Sequence, residues 1–268
     1  MATLLLVHAH PDDEAIATGG VMARAHDAGH RVVLVTATRG ELGEIHNMDE
    51  AATRPRLGEV RTRELEEADR LLGVDRQVFL GFRDSDMAGR PGNDDPRSFH
   101  AAPLGVAAER LAAVLREERP ELVITYTKEG TYGHPDHIKA HLTTVAALDL
   151  LREEGWEPER AYESALPQSV VEEIRARMAA EGVSDGPPAD LVGTPDAEIT
   201  VTVDVRDLAL RKRDALAAHV SQIDPRGPWA TMQQQVLEAA LGWEHYVRSR
   251  GAGGPEGTTT SLLDSAVC

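Results

Sequence analysis

Between Thr3 and Leu151, short apolar runs alternate with stretches whose apolar residues recur at helical spacing. Thr3 to His8 is almost wholly apolar and closes on a Pro-Asp-Asp turn, the pattern of a strand buried on both faces. Ala15 to Ala28 reads as a helix, ended by Gly29-His30. Arg31 to Ala37 is a second strand, and Leu57, Val60, Leu65, Ala68, Leu71 and Leu72 mark a helix that stops before Gly73. Val78 to Leu80 is a short third strand, Leu104 to Glu118 a helix, Leu122 to Tyr126 a fourth strand, and His137 to Leu151 helical again. Strands and helices alternating through short connections imply βαβ units, hence an α/β fold with a mostly parallel sheet flanked by helices. In such sheets ligands gather beyond the carboxyl ends of the strands.

After about residue 165 the pattern loosens into a smaller C-terminal α/β extension. Gln168 to Ala180 is helical, Gly182 to Ala197 reads as a loop, and Glu198 to Val205 alternates like a half-exposed strand. Leu208 to Val220 and Met232 to Tyr246 are expected to be helices, and the Gly/Thr/Ser-rich tail from Gly251 to be disordered. The expected organisation is one catalytic domain over 1–250 (core 1–165, extension 166–250) followed by the tail, 251–268.

Composition narrows the chemistry. The 268 residues are 41% hydrophobic and 27% charged, ordinary for a folded domain. With 28 Lys+Arg against 45 Asp+Glu the net charge is -17, which disfavours nucleic acid or an anionic membrane as partner. The one cysteine, Cys268, excludes an internal disulfide and a thiolate metal cluster, so any metal falls to the carboxylates and the 11 histidines. No run approaches the ~20 apolar residues of a membrane span, and the N-terminus lacks the charged region of a signal peptide. A soluble, cytoplasmic protein is expected, in an oligomeric state the sequence does not specify.

The first strand runs into His8-Ala9-His10-Pro11-Asp12-Asp13-Glu14, and the fourth into Tyr132-Gly133-His134-Pro135-Asp136-His137. Either cluster alone is explained by acidic capping of a helix N-terminus. Two of them converge if the first and fourth strands are neighbours where strand order reverses. His10, Asp13 and His137 would then form a two-His, one-carboxylate set with room for water, as in catalytic zinc sites, and Asp12 would be free to act as general base. His10-x-Asp12 with a distant His is also the iron facial triad, which the parallel α/β pattern disfavours. The His-Pro-Asp of co-chaperone J-domains lies between two helices, whereas both copies here follow strands.

His10-Pro11-Asp12-Asp13-Glu14 and His134-Pro135-Asp136-His137 resemble the signature motifs of the PIG-L/LmbE deacetylases, which are Rossmann-like, metal-dependent hydrolases of N-acylated glucosamines. The likeness spans residues 3–150, with weaker echoes in Ala215 to Gln222. It implies His10, Asp13 and His137 as metal ligands, for Zn2+ or, on the same ligands, Fe2+, with Asp12 as base. It further implies that His134, oriented by Asp136, stabilises the oxyanion or protonates the amine, assisted by Tyr132. Glu41, Glu44, Arg61 and Asp84 are the implied substrate contacts. His141 and His8 are expected to pack, and His219 either to pack or to line the pocket rim. Arg83 to Gly89 resembles N-acetylglucosaminyl-inositol deacetylases, whereas Ser221 to Pro225 resembles mycothiol S-conjugate amidases. The implied function is removal of an N-acetyl group from a glucosamine-containing small molecule, N-acetylglucosaminyl-inositol or a secondary-metabolite sugar. An S-conjugate amidase and a metal-free sugar-binding protein are the alternatives.

Overall fold

The computed structural model describes residues 1–181, 191–224 and 234–263. Its strands are β1 (Thr3–His8), β2 (Arg31–Thr36), β3 (Arg76–Phe79), β4 (Leu122–Tyr126), β5 (Arg160–Ala165), β6 (Val201–Asp204), β7 (Trp243–Arg250) and β8 (Gly257–Thr259). They form one sheet in the order β3-β2-β1-β4-β5-β7-β6-β8. The strands from β3 through β5 are parallel, and β7 runs antiparallel to both β5 and β6. The helices that matter below are α1 (Asp13–Ala17), α2 (Gly19–Asp27), α3 (Glu50–Thr53), α4 (Leu57–Leu72), α5 (Leu104–Glu118), α6 (Gly130–Gly133), α7 (Pro135–Glu153), α8 (Gln168–Glu181), α9 (Ala209–Ala218) and α10 (Gln234–Leu241).

Side chains of a strand alternate between faces, so an unbroken apolar run feeds two cores. Leu4, Leu6, Val32, Leu34 and Ile124 face one layer, with Met22 of α2, Leu65 and Leu72 of α4 and Leu216 of α9. Leu5, Val7, Val33, Val35 and Val123 face the other, with Leu111 and Leu115 of α5 and Ala140 and Leu148 of α7. Full burial stabilises each such side chain by ~1.5–3 kcal/mol. Among the described residues, no helix is long and apolar enough to cross a membrane.

Three expectations are corrected. The helix expected over Ala15 to Ala28 is two helices broken at Thr18, whose Oγ1 lies 2.8 Å from His8 Nε2. At the restart Gly20 packs so close that a Cβ would stand 2.6 Å from Val205. The helix expected through Tyr246 stops at Leu241, and Trp243 onward is β7, filling the gap between β5 and β6. Alternate burial of Glu244 and Tyr246 along β7 is a strand signature that was hidden by a polar sequence. The tail is ordered from Gly251 to Leu263, with β8 pairing beside β6 and Leu262 buried. Strand β5 was not anticipated, because Arg160–Ala165 has no apolar run. Residues 182–190 of the expected loop, the start of the Met232 helix, and Cys268 lie outside the described residues.

Two buried charges brace this architecture. Glu244 of β7 accepts the backbone N–H groups of Gly20 (2.7 Å) and Val21 (3.0 Å), the orphan donors at the start of α2. It also takes the Tyr246 hydroxyl and, at 2.6 Å, the Lys212 ammonium of α9. Lys212→Met should cost about 3–5 kcal/mol in urea unfolding, because it strands a buried carboxylate, and Glu244→Gln added to it should restore part of the loss.

Asp69 of α4 is the opposite case, a buried carboxylate with Oδ1 unpaired. Burial, with Glu14 and Glu66 nearby, raises its pKa to about 8 against the opposing pull of His219. The native state therefore favours the protonated carboxyl, a stabilisation complete below the unfolded value of about 4 and lost as pH climbs to about 8. Asp69→Asn should remove that loss. Thermal unfolding should show the variant pulling ahead of wild type between those pH values, by roughly 2–4 °C per kcal/mol recovered.

Candidate active site

β1 and β4 lie side by side in parallel, paired Leu4↔Leu122, Leu5↔Val123 and Leu6↔Ile124, so both end at one edge of the sheet. Beyond β1 the chain turns through Asp12 at φ 106°, a left-handed conformation that strains any residue with a Cβ. The turn is held from three sides. Glu14 Oε2 accepts the Asp12 backbone N–H at 2.8 Å. Arg61 of α4 donates to the Pro11 and Gly40 carbonyls and to Asp12 Oδ2, the last at 3.1 Å. His219, at the end of α9, meets Glu14 Oε1 at 2.7 Å, both fully buried. Beyond β4, His134 caps α7 by accepting the Asp136 N–H at its Nδ1 (3.1 Å), with Pro135 at the first helical position. The capping reading thus holds for the second motif, whereas Asp12 makes no side-chain cap.

The two turns bring their rings together. His10 and His134 centroids are 4.6 Å apart, His10 and His137 5.4 Å, and His134 and His137 5.1 Å. Asp13 touches each proposed histidine ligand separately, with Oδ2 3.6 Å from His10 Nδ1 and Oδ1 3.3 Å from His137 Nε2. Its Oδ2 is fixed by the His10 N–H (2.9 Å) and the Tyr126 hydroxyl (2.7 Å). His10 Nε2 faces Asp136 at 3.2 Å, and Ser85 donates to Asp136 from both its N–H and its hydroxyl.

These donors fit a metal. In a tetrahedral site with bonds of ~2.0–2.1 Å, ligand atoms lie roughly 3.3 Å apart, and Asp13 comes near that spacing through separate oxygens, Oδ2 at 3.6 Å from His10 and Oδ1 at 3.3 Å from His137. His137 is buried with neither ring nitrogen in a hydrogen bond, which a packing histidine avoids and which leaves a nitrogen free for a metal. The Asp136 contact to the far nitrogen of His10 is the carboxylate–histidine pairing that fixes a ligand's tautomer. Among the described residues, the triples whose ligand atoms all lie within 4.8 Å of one another are His10/His134/His137 and His10/Asp84/Asp136, and Asp13 enters neither.

Charge shifts follow from the geometry. Burial works against a proton on His10, yet Asp84, Asp13 and Asp136 outweigh it and hold the imidazole pKa well above its usual value. The same carboxylate field favours a cation. Asp13 feels burial upward, but His137 and His10 pull it well below the carboxylate range. Burial lifts Asp12 to about 6 against the pull of Arg61. Burial and the two neighbouring histidines lower His134 to about 3, so it is neutral, and with Nδ1 accepting a bond its proton sits on Nε2. Burial raises the Tyr132 hydroxyl, which stays protonated.

Of the expected substrate contacts, Asp84 lies nearest, 3.7 Å from His10 Nε2. Glu41 is half-buried and accepts the Asp84 N–H at 3.1 Å, while Glu44 is exposed beside His46. Arg61 is buried behind Asp12. Asp136 orients His134 through its backbone N–H and sends its carboxylate to His10 instead. His141 bonds the Tyr126 carbonyl, and His8 spans Tyr126 and Thr18, both packing roles. Tyr126, Ser85 and the Glu14–His219 pair were not anticipated at the centre. Tyr126 read as the end of a strand and Glu14 as a helix-start acid, so only fold geometry exposes their part.

A family model described as GlcNAc-PI de-N-acetylase, PIG-L, matches residues 5–148. A protein of Acidothermus cellulolyticus named 1D-myo-inositol 2-acetamido-2-deoxy-alpha-D-glucopyranoside deacetylase is 43% identical over 270 residues, covering 95% of this chain and 91% of its own. A protein of the same name from Thermobifida fusca is 40% identical over 280 residues, covering 97% and 98%. Among solved structures, N,N'-diacetylchitobiose deacetylase from Pyrococcus horikoshii aligns with a TM-score of 0.62 at 23% identity, over 92% of this chain and 83% of its own, a likeness of fold.

The contacts predict a graded response to substitution. His137→Ala and Asp13→Ala should abolish metal binding, Asp136→Ala should weaken it roughly 10–100-fold, and Asp12→Ala should keep it. Elemental analysis with chelator competition checks this, and equal retention in all four variants would refute the ligand set.

Proposed function

The chain belongs to the PIG-L family, and from that premise we propose that it is a zinc-dependent hydrolase removing the acetyl group from N-acetylglucosamine joined to inositol or a related polyol. The observation that carries the reading is the convergence of His10, Asp13 and His137 beside a half-buried Asp12, with a neutral His134 alongside. Bound at those three residues, zinc would supply Lewis acidity to the acetyl carbonyl and lower the pKa of water.

The side chains divide the remaining work. Asp12, set in place by Arg61 and Glu14, accepts a proton from the attacking water as its oxygen bonds to the carbonyl carbon. His134 Nε2–H donates to the developing oxyanion, and the Tyr132 hydroxyl, on a ring 6.0 Å from that of His134, is the second donor. A neutral His134 suits this role better than that of general acid, because it has no extra proton to give. Collapse breaks the C–N bond, Asp12 passes its proton to the leaving amine, and acetate and the free amino sugar depart. We read the enzyme as cytoplasmic and acting on a dissolved small molecule, in keeping with a net charge of -17 that repels polyanionic surfaces.

Zinc-loaded protein should release acetate from N-acetylglucosaminyl-inositol. Asp12→Ala should lower kcat ~10²–10⁴-fold and His134→Ala ~10²–10³-fold, both with metal retained. Hydrolysis confined to mycothiol S-conjugates would replace this reading with the amidase, and no amide cleavage on either substrate would overturn it.

A further inference from the structure

A ligating imidazole is ordinarily oriented through its second nitrogen, by a hydrogen bond to a carboxylate, a carbonyl or water. Asp136 does this for His10, with Oδ2 3.2 Å from Nε2. His137 lacks that brace, because among the described residues its far nitrogen, Nδ1, makes no hydrogen bond. Tyr126, the buried last residue of β4, lies against it instead. The two rings are stacked, with centroids 4.3 Å apart and planes 19° from parallel. Tyr132 meets the same imidazole only edge-on, at 4.9 Å. The Tyr126 hydroxyl is meanwhile 2.7 Å from Asp13 Oδ2. One side chain therefore touches a candidate ligand from each motif turn.

The surrounding bonds fix the direction of that hydroxyl. A carboxylate able to bind a metal is ionised and only accepts, so the single hydroxyl proton of Tyr126 goes to Asp13. The Tyr126 oxygen is then an acceptor toward its other neighbours. Ala9 donates its backbone N–H at 2.8 Å, and His8 Nδ1, at 3.2 Å, must donate as well. That puts the His8 proton on Nδ1 and leaves Nε2 to accept the Thr18 hydroxyl at 2.8 Å. The other oxygen within reach of Thr18, the Glu14 carbonyl, is farther off at 3.3 Å. Thr18, His8, Tyr126 and Asp13 thus form one buried chain whose donors all point toward the carboxylate. Two donors on its oxygen polarise the Tyr126 O–H and strengthen its bond to Asp13.

Tyr126 is itself pinned. Its carbonyl accepts from His141 Nδ1 at 3.0 Å, and its backbone pairs with Ser164 of β5. A ring and a hydroxyl fixed to the middle of the sheet can set Asp13 and His137 against each other, although the two residues lie on separate helices.

We propose that Tyr126 is a positioning residue of the metal site. Its hydroxyl, backed by His8 and Thr18, holds the Asp13 carboxylate, and its ring holds the His137 imidazole. The inference rests on the reading of Asp13 and His137 as metal ligands and deepens it.

Cobalt(II) added to the metal-free full chain tests it, with affinity read by chelator competition and ligand arrangement by the visible absorption of the bound ion. Tyr126→Phe, which keeps the ring, should bind cobalt ~10–100-fold more weakly and shift the absorption bands. Tyr126→Leu, which also removes the stack on His137, should lose more. His8→Leu should weaken binding by a smaller factor and add nothing further to Tyr126→Phe, because the two act through one hydroxyl. Wild-type affinity and bands in Tyr126→Phe overturn the hydroxyl's role, even where melting temperature or turnover falls. Equal losses in the Phe and Leu variants overturn the ring's role, and losses from His8 and Tyr126 that simply add overturn the chain between them. If wild type binds no cobalt, or Asp13→Ala and His137→Ala bind it as well as wild type does, the ligand reading itself fails and takes the proposal with it. Cobalt binding without acetate release from N-acetylglucosaminyl-inositol overturns the deacetylase reading alone, and the same titrations still decide Tyr126. Should Tyr126→Phe not fold, His8→Leu carries the test, and affinity and bands unmoved in it overturn the proposal.

Discussion

The parallel contact between β1 and β4 is the constraint from which the site follows. Strand order reverses there, since β2 and β3 lie on one side of β1 while β5 continues from β4. Parallel strands end at the same edge, so two turns 122 residues apart in sequence, at Asp12 and His134, open into one space. That placement of β4 puts the His10 and His134 rings 4.6 Å apart. Side chains on both strands are buried on both faces, and a slip of one residue would exchange the two cores and turn the site side chains away.

Holding that geometry falls to buried charges contributed largely from far along the chain. Asp12 has a backbone conformation that costs of order 1–3 kcal/mol and persists only when its surroundings enforce it. Glu14, locked by His219, and Arg61 provide that enforcement. Burial alone would raise the Glu14 pKa, but the facing His219 reverses the balance and lowers it. The C-terminal extension therefore acts on the first turn through α9, and Glu244 with Lys212 fixes the start of α2 behind it. Removing either pair would loosen a turn more than 190 residues away in sequence.

Legibility in the sequence tracked burial. β1, β4 and α5 were read to the residue, because strands covered on both faces become unbroken apolar runs and an amphipathic helix shows its period. β5 and β7 were lost, because strands such as Arg160–Ala165 and Trp243–Arg250 are filled with charged and polar side chains paired across the sheet. The metal-ligand and base candidates were legible as two motif turns after strands. Tyr126 was not, since a tyrosine ending a strand carries no sign that its hydroxyl will reach back to Asp13. Arg61 stands out in the sequence as a candidate substrate contact, but its place does not. Its seat behind Asp12 depends on how α4 crosses the sheet, which no local pattern encodes.

The two His-Pro-Asp copies show how far the surroundings, rather than the tripeptide, decide chemistry. Asp136 is fully buried, and burial alone would raise its pKa, but His10 and two bonds from Ser85 reverse that and keep it ionised as a fixed partner of His10. Asp12 keeps a partly open carboxylate with Arg61 as its one charged partner, and burial leaves its pKa at about 6. A carboxylate satisfied on every side cannot take up and release a proton, whereas one left under-satisfied near neutrality can. The backbone gives each residue those surroundings. Asp136 sits inside the first turn of a long helix, while Asp12 is pushed outside its helix by a left-handed turn that leaves its side chain partly exposed beside Arg61. Identical residues after two parallel strands thus become a structural anchor and the carboxylate proposed as proton acceptor.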